Sequence, residues 1–488
     1  MSRAGGAGEV VAAAVDLGAT SGRVLAGRIG AARLDLVEVA RFANTPREVE
    51  GVWRWDLASL WREIGAGIRT AVLDHGATTV GIDSWAVDYG LLDADGRLLA
   101  DPACYRDART EGLPKRVDAL VSPEEHYRIT GLQRQPFNSL YQLLAEPVGV
   151  LADGAQRMLL LPDLLSYLMT GVEGAERTNA STTGLYDANS GRWSTELCDR
   201  LGIPASLLAP LAEPGSSAGL IRPDVLQAWE IGTDVRVEVV RVGSHDTASA
   251  VAAVPADGDR FAYVSCGTWS LVGLELDAPV LTEAGRAANF TNEVGTDATI
   301  RYLRNLTGLW LLSECLRTWD DDGMPQDRDD LVVRAAALPS GRWRIDAESA
   351  EFVAPGGMPA RISTAAARRG PAPNEPAEVL RCIVDSLAVA HADSVALAGA
   401  LADRRIDVVH LVGGGSAMAL LCQATADACG LPVEAGPVEA TAIGNLLVQA
   451  RAAGVLPAGH DGHAAARALV RATQSLTRYE PQRPAGTY

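Results

Sequence analysis

The chain has 488 residues, of which 48% are hydrophobic and 21% charged, enough for about two or three domains, and this excludes disordered and collagen-like chains. Its 43 Lys and Arg against 61 Asp and Glu leave a net charge of -18, a surface that repels a polyphosphate backbone and excludes nucleic acid as the main partner. Lysine occurs only at Lys115, directly after Pro114, so no GxxxxGK[ST] loop exists and any phosphate site must use backbone N–H groups, Mg²⁺ and arginine.

The start, Met1 to Gly8, reads as small and flexible. Val10 to Val15 is too short for a signal segment and ends at Asp16. No uninterrupted apolar run is long enough to span a bilayer, so no membrane partner is expected. Val10 to Asp16 reads as a strand that enters LGATSGR and resumes at Val24 to Ile29. An amphipathic helix over Leu57 to Asp74 and buried strands at Thr79 to Ile82 and Val235 to Val242 follow. Val254 to Gly258 and Pro355 to Pro376 read as connections, the first a domain boundary. Phe261 to Leu276 repeats the order strand, SCGTWS turn, strand, before a helix at Leu380 to Leu401 and a strand at Val408 to Val412. The alternation predicts an α/β protein whose two domains, 9–253 and 259–456, share a plan, with a tail at 457–488. From Gly459 onward the Ala/Arg-rich sequence carries no functional signal. The seven cysteines, Cys104, Cys198, Cys266, Cys315, Cys382, Cys422 and Cys429, are scattered without a CxxC pair, which predicts reduced thiols in a cytoplasmic protein without structural zinc.

Four segments carry chemistry. In VDLGATSGR, Gly18 and Gly22 are expected to permit positive φ and close backbone approach, Thr20 and Ser21 offer hydroxyls, and Arg23 a fixed charge around phosphate oxygens. Asp16 ends the strand where a carboxylate could hold Mg²⁺ and its waters. An ordinary glycine hairpin is the alternative. In VGSHDTASAV, Asp246 falls at a helix start whose dipole would keep it ionised, as suits a base accepting a hydroxyl proton during phosphoryl transfer. Equally, Ser244, Asp246 or Thr247 could be a simple N-cap. SCGTWS offers a second phosphate turn around Thr268. Gly413 to Gly415, between strand and helix, remove every Cβ from a turn where a base or ribose could lie, or form a tight packing turn. Sugar hydroxyls are neutral, so Asp83, Trp85, Asp88, Arg106, Asp107 and Asn138 are candidates for a pocket of carboxylates, amides and an aromatic face.

As an ordered set, these segments resemble the two-domain actin-like ATPase fold of sugar kinases and Hsp70 chaperones, with a cleft between related domains. The stretches AVDLGATSGR, GIDSWAVDYGLLD, YRDART, PFNSLYQL, MLLLPDLLSYLMTG, TNASTTGLYD, GSHDTASAV, SCGTWSLVG, LRNLTGLWLL and HLVGGGS resemble the FGGY carbohydrate kinases, most closely those acting on L-rhamnulose. They span Ala14 to Ser416 and continue into AGPVEATAIGN at Ala435 to Asn445.

The resemblance implies ATP- and Mg²⁺-dependent phosphorylation of L-rhamnulose at its 1-hydroxyl, a step of L-rhamnose breakdown. It implies Asp246 as catalytic base, Ala19, Thr20, Ser21, Gly22, Arg23 and Thr268 around ATP phosphates, and Gly414 beside adenosine. Ser313 lies at a further nucleotide position. His245, Asp246, Thr247 and Asn305 match substrate contacts, as does the position of Ala86, and Asp16 matches the carboxylate near the metal. The chain departs from these relatives at three positions. Ala86 stands for a common Gly, where the added methyl would crowd the sugar pocket or shift its backbone, Ser313 replaces a Gln, and Thr425 replaces a Cys that some relatives pair with the counterpart of Cys429. Other readings are a kinase of L-fuculose or D-xylulose, an actin-like ATPase driving a partner, and a sugar sensor without turnover.

Overall fold

A computed structural model describes residues 8–482. Met1 to Ala7, most of the start read as flexible, and the end of the tail at 483–488 lie outside the described residues. The elements that position the site are, in chain order, β1 (Glu9–Leu17), β2 (Ser21–Gly30), β3 (Arg33–Ala43), α1 (Leu57–Leu73), β4 (Thr79–Ser84), α2 (Ser139–Leu144), β5 (Ser217–Leu220), β6 (Glu238–Val240) and α3 (Asp246–Ala252). The later ones are β7 (Phe261–Cys266), β8 (Trp269–Leu276), β9 (Thr291–Val294), β10 (Ile300–Thr307), α4 (Trp310–Asp321), α5 (Met358–Ala367), α6 (Pro376–Leu401), β11 (Val408–Val412), α7 (Ala419–Cys429), β12 (Val433–Ala435), α8 (Ala440–Ala452), α9 (Gly459–Thr473) and β13 (Thr477–Tyr479).

Among the described residues the chain forms two compact units that are discontinuous in sequence: 8–253, 276–302 and 441–473 in the first, 254–275, 303–440 and 474–482 in the second. In the first unit the sheet order is β5-β6-β4-β1-β2-β3. β1 is central, pairing antiparallel with β2 and parallel with β4. A strand covered on both faces must be apolar throughout, and Ala12, Ala13, Ala14, Val15 and Leu17 are all buried. α1 starts on Asp56, whose carboxylate accepts from the Ser59 N–H at 3.0 Å. It buries Leu57, Leu60, Ile64, Ile68, Ala71 and Val72, a spacing of three and four residues that makes one apolar stripe.

The second unit repeats the device. β7 pairs antiparallel with β8 and parallel with β11, and the order within this unit is β10-β8-β7-β11-β12-β13. Each unit therefore carries an antiparallel hairpin whose first strand is also the parallel partner of a later strand.

Three expectations change. The strand expected at Val235 to Val242 is only Glu238–Val240, because Val235 closes a turn on Gly232 and the Arg241 side chain turns to the Ser217 and Glu173 carbonyls. The connection expected at Pro355 to Pro376 contains α5, which starts after the left-handed Gly356 and Gly357 with Pro359 in its first turn. α6 begins at Pro376, four residues early, where the Glu378 carboxylate reaches back to the N–H groups of Asn374 and Glu375. α6 is also long and apolar enough to cross a membrane, yet 67% of its most apolar window is buried inside the protein. Arg381 and Asp385 interrupt its apolar run. One turn apart, these two neutralise each other at 2.9 Å in the core.

The residues after Gly459 form α9, bound into the first unit through Asp297. Its carboxylate accepts from His463 Nδ1 at 2.6 Å and from both terminal nitrogens of Arg451 on α8. Burial raises the Asp297 carboxyl, but His463 and Arg451 more than offset this and hold it well below the usual carboxylate range. Such a group adds stability that is present above its unfolded pKa of about 4 and is lost as pH falls toward the depressed folded value. Asp297→Asn should therefore destabilise the protein by about 3–5 kcal/mol at pH 7, as expected for breaking a buried ion pair. Urea denaturation at pH 7 and at pH 4 would show the difference shrinking toward the acid end.

Candidate active site

Backbone register brings the first charges together. Parallel pairing sets Asp16 opposite Asp83, and antiparallel pairing sets Asp16 opposite Arg23. Both acids stand at the carboxyl ends of parallel strands, where ligands bind in open α/β sheets. Arg23 Nε and Nη2 converge on Asp16 Oδ2 at 3.0 and 2.8 Å. Asp83 is buried, and its Oδ2 accepts from Asn445 Nδ2 at 2.6 Å while Oδ1 has no hydrogen-bond partner among the described residues. Burial and the repulsion of Asp16 and Asp246 push the Asp83 carboxyl well up, against the Asn445 bond.

The 243–246 loop meets the same edge. The Ser84 N–H donates to the Ser244 carbonyl at 2.9 Å, and Ser84 bridges to His245. Glu176 anchors the loop from behind, its Oε2 accepting from Ser244 N at 3.0 Å and Ser244 Oγ at 2.9 Å, while Thr178 Oγ1 accepts from His245 N at 3.3 Å. His245, not Ser244, Asp246 or Thr247, is the N-cap of α3, and it makes no side-chain cap bond. The Asp246 side chain is 33% exposed, Thr247 Oγ1 donates to its Oδ1 at 3.1 Å, and His245 Nε2 is 3.5 Å from the same oxygen. α3 is short, and burial raises the Asp246 carboxyl; Asp16 adds repulsion, and His245 and Thr247 only partly counter the rise.

Behind His245 stands an ion pair that sequence reasoning missed. Glu293 Oε2 lies 3.3 Å from His245 Nδ1 and 3.1 Å from Arg301 Nη1, and Arg301 Nη2 is 3.2 Å from the same Nδ1. Both members are buried. Burial raises the Glu293 carboxyl, but Arg301 and His245 outweigh it and hold it low. One acidic and one basic residue in two short buried strands, TNEV and IRYL, were the available signal.

The remaining candidates divide clearly. Ala19 and Ser21 are half-buried and Thr20 exposed in a turn closed by Gly18 N–H to Ser21 carbonyl at 2.8 Å and tied to Asn44. Neither Gly18 nor Gly22 has positive φ, contrary to expectation, and Gly22 lacks a Cβ because the Phe42 ring and Leu17 fill that space. Ala86 is half-buried and Thr247 buried. Asp107 accepts from the N–H groups of Trp53 and Arg109, and Asn138 bonds Gln135 and the Thr182 carbonyl, so both serve the fold; Arg106 is exposed.

Thr268, Ser313, Gly414 and Asn305 belong to the second unit. The Gly267-Thr268 turn is closed by Gly308, Leu309 and Trp310, whose N–H groups donate to its carbonyls at 3.2, 2.9 and 3.1 Å. Ser313 is exposed one turn into α4, and Asn305 is half-buried on β10. The three glycines do different things, which corrects the view that all of them clear space. Gly413 is left-handed with φ 80°, a Cβ on Gly415 would lie 2.5 Å from Cys266 Sγ, and only Gly414 faces open space. Buried His391 braces this region from Ser270 Oγ at 3.1 Å to Thr425 Oγ1 at 3.3 Å, so Thr425 has a structural use. Burial pushes the His391 imidazole down to about 4, which keeps it neutral.

Arg301→Met alone strands the Glu293 charge and should cost about 3–5 kcal/mol, whereas the paired change Arg301→Met with Glu293→Leu should cost far less. Guanidinium denaturation of the two variants checks this.

Residues 11–253 match the N-terminal domain, and 262–453 the C-terminal domain, of the FGGY family of carbohydrate kinases. A rhamnulokinase of Bacteroides thetaiotaomicron is 40% identical over 473 residues, covering 96% of this chain and 95% of that one. A rhamnulokinase of Klebsiella pneumoniae is 41% identical over 443 residues, with 89% and 88% covered. Among solved structures, the ligand-bound xylulose kinase of Lactobacillus acidophilus is similar at TM-score 0.76 and 16% identity, covering 97% and 94%. The glycerol kinase of Plasmodium falciparum with ADP gives 0.76 at 15% identity and the same coverage, so the two-domain α/β fold is the actin-like one of sugar kinases. The chain belongs to the FGGY family of carbohydrate kinases and is an ATP-dependent sugar kinase.

Proposed function

We propose that the chain transfers the γ-phosphoryl group of ATP to the 1-hydroxyl of L-rhamnulose, giving L-rhamnulose 1-phosphate and ADP, in the cytoplasm and as a step of L-rhamnose breakdown. The observation that carries this reading is Asp246, a partly exposed carboxylate beside His245 and the Asp16–Arg23 pair, in a chain about 40% identical to rhamnulokinases. Seven free cysteines among the described residues are compatible with a reducing compartment.

In this reading Asp246 accepts the proton of the attacking hydroxyl. Its raised pKa brings it nearer the working pH than an ordinary aspartate. His245 and Thr247 hold its carboxylate and, with the Ala86 turn, bound the sugar; Asn305, on the second unit, is a further candidate sugar contact. In the first unit, Arg23 and the Ala19 to Gly22 turn receive phosphate oxygens as charge develops on the transferring group; in the second unit, the Gly267-Thr268 turn offers a phosphate site of its own. Gly414, open where its neighbours are packed, and Ser313 take the nucleoside end.

Mg²⁺ fits the residues present. Asp16, Asp83 and Asp246 repel one another, and Asp83 Oδ1 is buried without a hydrogen-bond partner. Among the described residues no three His, Cys, Asp or Glu side chains form a metal cage. Mg²⁺ needs none, because one or two carboxylates, waters and substrate phosphates suffice, and Asp16 is the carboxylate that would hold it. When bound, the ion neutralises phosphate charge.

Asp246→Asn should lower kcat by roughly 10²- to 10⁴-fold in an ADP-release assay; near-normal turnover would remove Asp246 from the role. Gly414→Ala should leave Tm unchanged and raise the KM for ATP, whereas Gly415→Ala should lower Tm by collision with Cys266. The substrate is tested by kcat/KM on L-rhamnulose, L-fuculose, D-xylulose and glycerol. Because Ala86 narrows the turn next to His245, L-fuculose is the rival, and a higher kcat/KM for it would reassign the substrate.

A further inference from the structure

The segment Ser84–Asp88 leaves β4 beside the proposed catalytic loop, and its conformation is unusual. Val87, a β-branched residue, is left-handed with φ 72°, a region that such side chains avoid. Strain of this kind persists only where surrounding contacts over-determine it, and it concentrates at functional sites. Trp85, Val87 and Asp88 are buried at 7%, 6% and 1% exposure, so the turn shows the outside only Ala86. Its near end is fixed by Ser84 N–H on the Ser244 carbonyl at 2.9 Å and Trp85 N–H on the Leu17 carbonyl at 3.3 Å.

Its far end is fixed by the Asp88 carboxylate, which the proposed chemistry does not use. Oδ2 accepts from Trp55 Nε1 at 2.6 Å, Trp85 Nε1 at 2.9 Å and Tyr105 N at 3.2 Å, and Oδ1 accepts from Gln142 Nε2 at 2.8 Å. Every partner donates, so only an ionised carboxylate satisfies all of them. The same clamp gathers the Trp55–Trp85 pair, with centroids 4.3 Å apart, next to the half-buried Tyr105–Phe137 pair at 5.4 Å. The Val87 carbonyl is held in turn by Ser139 Oγ at 2.7 Å.

Resting on the kinase reading above, we infer that Asp88 is a positioning residue for sugar recognition: its four-donor clamp holds the strained Val87 turn and so sets where Ala86 and the flanking aromatic wall meet the sugar. Burial pushes the Asp88 carboxyl up to about 6, against its four hydrogen bonds. Protonation below that pH replaces an acceptor by a donor with nowhere to donate. The titratable and charged groups around it are Cys104 and Tyr105, and, through Gln142, Arg109 with its partners Glu146 and Tyr89. Burial raises the Cys104 thiol to about 12 and raises the Tyr105 phenol, so both stay protonated across the working range.

The test is steady-state kinetics of wild type and Asp88→Asn from pH 5.5 to 8, varying sugar and ATP separately. An amide keeps the shape but presents an N–H to at least one donor. The expected result at pH 7.5 is a sugar KM raised about tenfold, with kcat and the ATP KM nearly unchanged. Wild-type sugar KM should also rise below about pH 6, and the variant's should be flat. A folded variant with wild-type sugar KM, or one that loses kcat at unchanged KM, overturns the inference. Should Asp88→Asn not fold, Trp85→Phe removes a single donor and should give a smaller sugar KM rise with the same split; unchanged KM there also overturns it. The kinase reading is judged separately, by whether wild type turns over L-rhamnulose at all, and the Asp88 comparison then uses whichever sugar of the substrate panel it phosphorylates.

Discussion

The constraint on which the first unit's chemistry rests is the register between β1 and β4. Strands that pair in parallel carry equivalent residues side by side, so an aspartate at the end of each puts two like charges against each other at one sheet edge. The fold resolves this unequally. Asp16 is answered across the hairpin by Arg23, whereas Asp83 is buried and answered by one amide. Because charge is expensive to bury, the compensation must come from fixed partners, and this explains why α8, from the far end of the chain, is threaded under the sheet. Asn445 holds Asp83, and Gln449 links Asn445 to the Ala13 carbonyl and Thr79.

The same logic runs through the His245 loop. Glu176 collects the loop's donors from behind, and Asp163, whose carboxyl burial pushes up to about 8, in turn accepts the Glu176 N–H. Glu293 and Arg301 fix the other side of the imidazole. His245 Nδ1 thus lies between an obligate donor, Arg301, and an acceptor, Glu293. The second unit is built differently, from glycines and neutral hydrogen bonds around Cys266, Ser270 and His391. Charge concentrates on the unit proposed to take the proton, and open backbone on the unit proposed to take the nucleoside.

What the sequence disclosed follows from range. The two hairpins, α1 and β11 were readable because their pattern is local: alternation or a stripe, with a glycine turn between. Asp16, Arg23, His245 and Asp246 were readable because each sits in a short motif at a strand or helix end. Glu176, Glu293, Arg301, Asn445 and Asp297 were not, because each acts on a partner 48 to 362 residues away or on a segment without any motif. Gly22 and Gly415 were misread for a related reason. A missing Cβ looks the same in sequence whether it makes room for a ligand or for Phe42 and Cys266. Asp88 sat in a readable segment, but four donors converging from separate stretches show only in three dimensions.

The acidic composition also takes on a different meaning once the side chains are placed. A net charge of -18 was read as a surface property that turns away polyanions. Yet Asp88, Asp163, Glu176, Glu293 and Asp385 are all buried, each matched to donors or to arginine. ATP is itself a polyanion, so a cleft lined by unmatched acids would oppose it. With these acids matched internally, Asp246 keeps a third of its side chain exposed near the Asp16–Arg23 pair, where Asp16 still repels it.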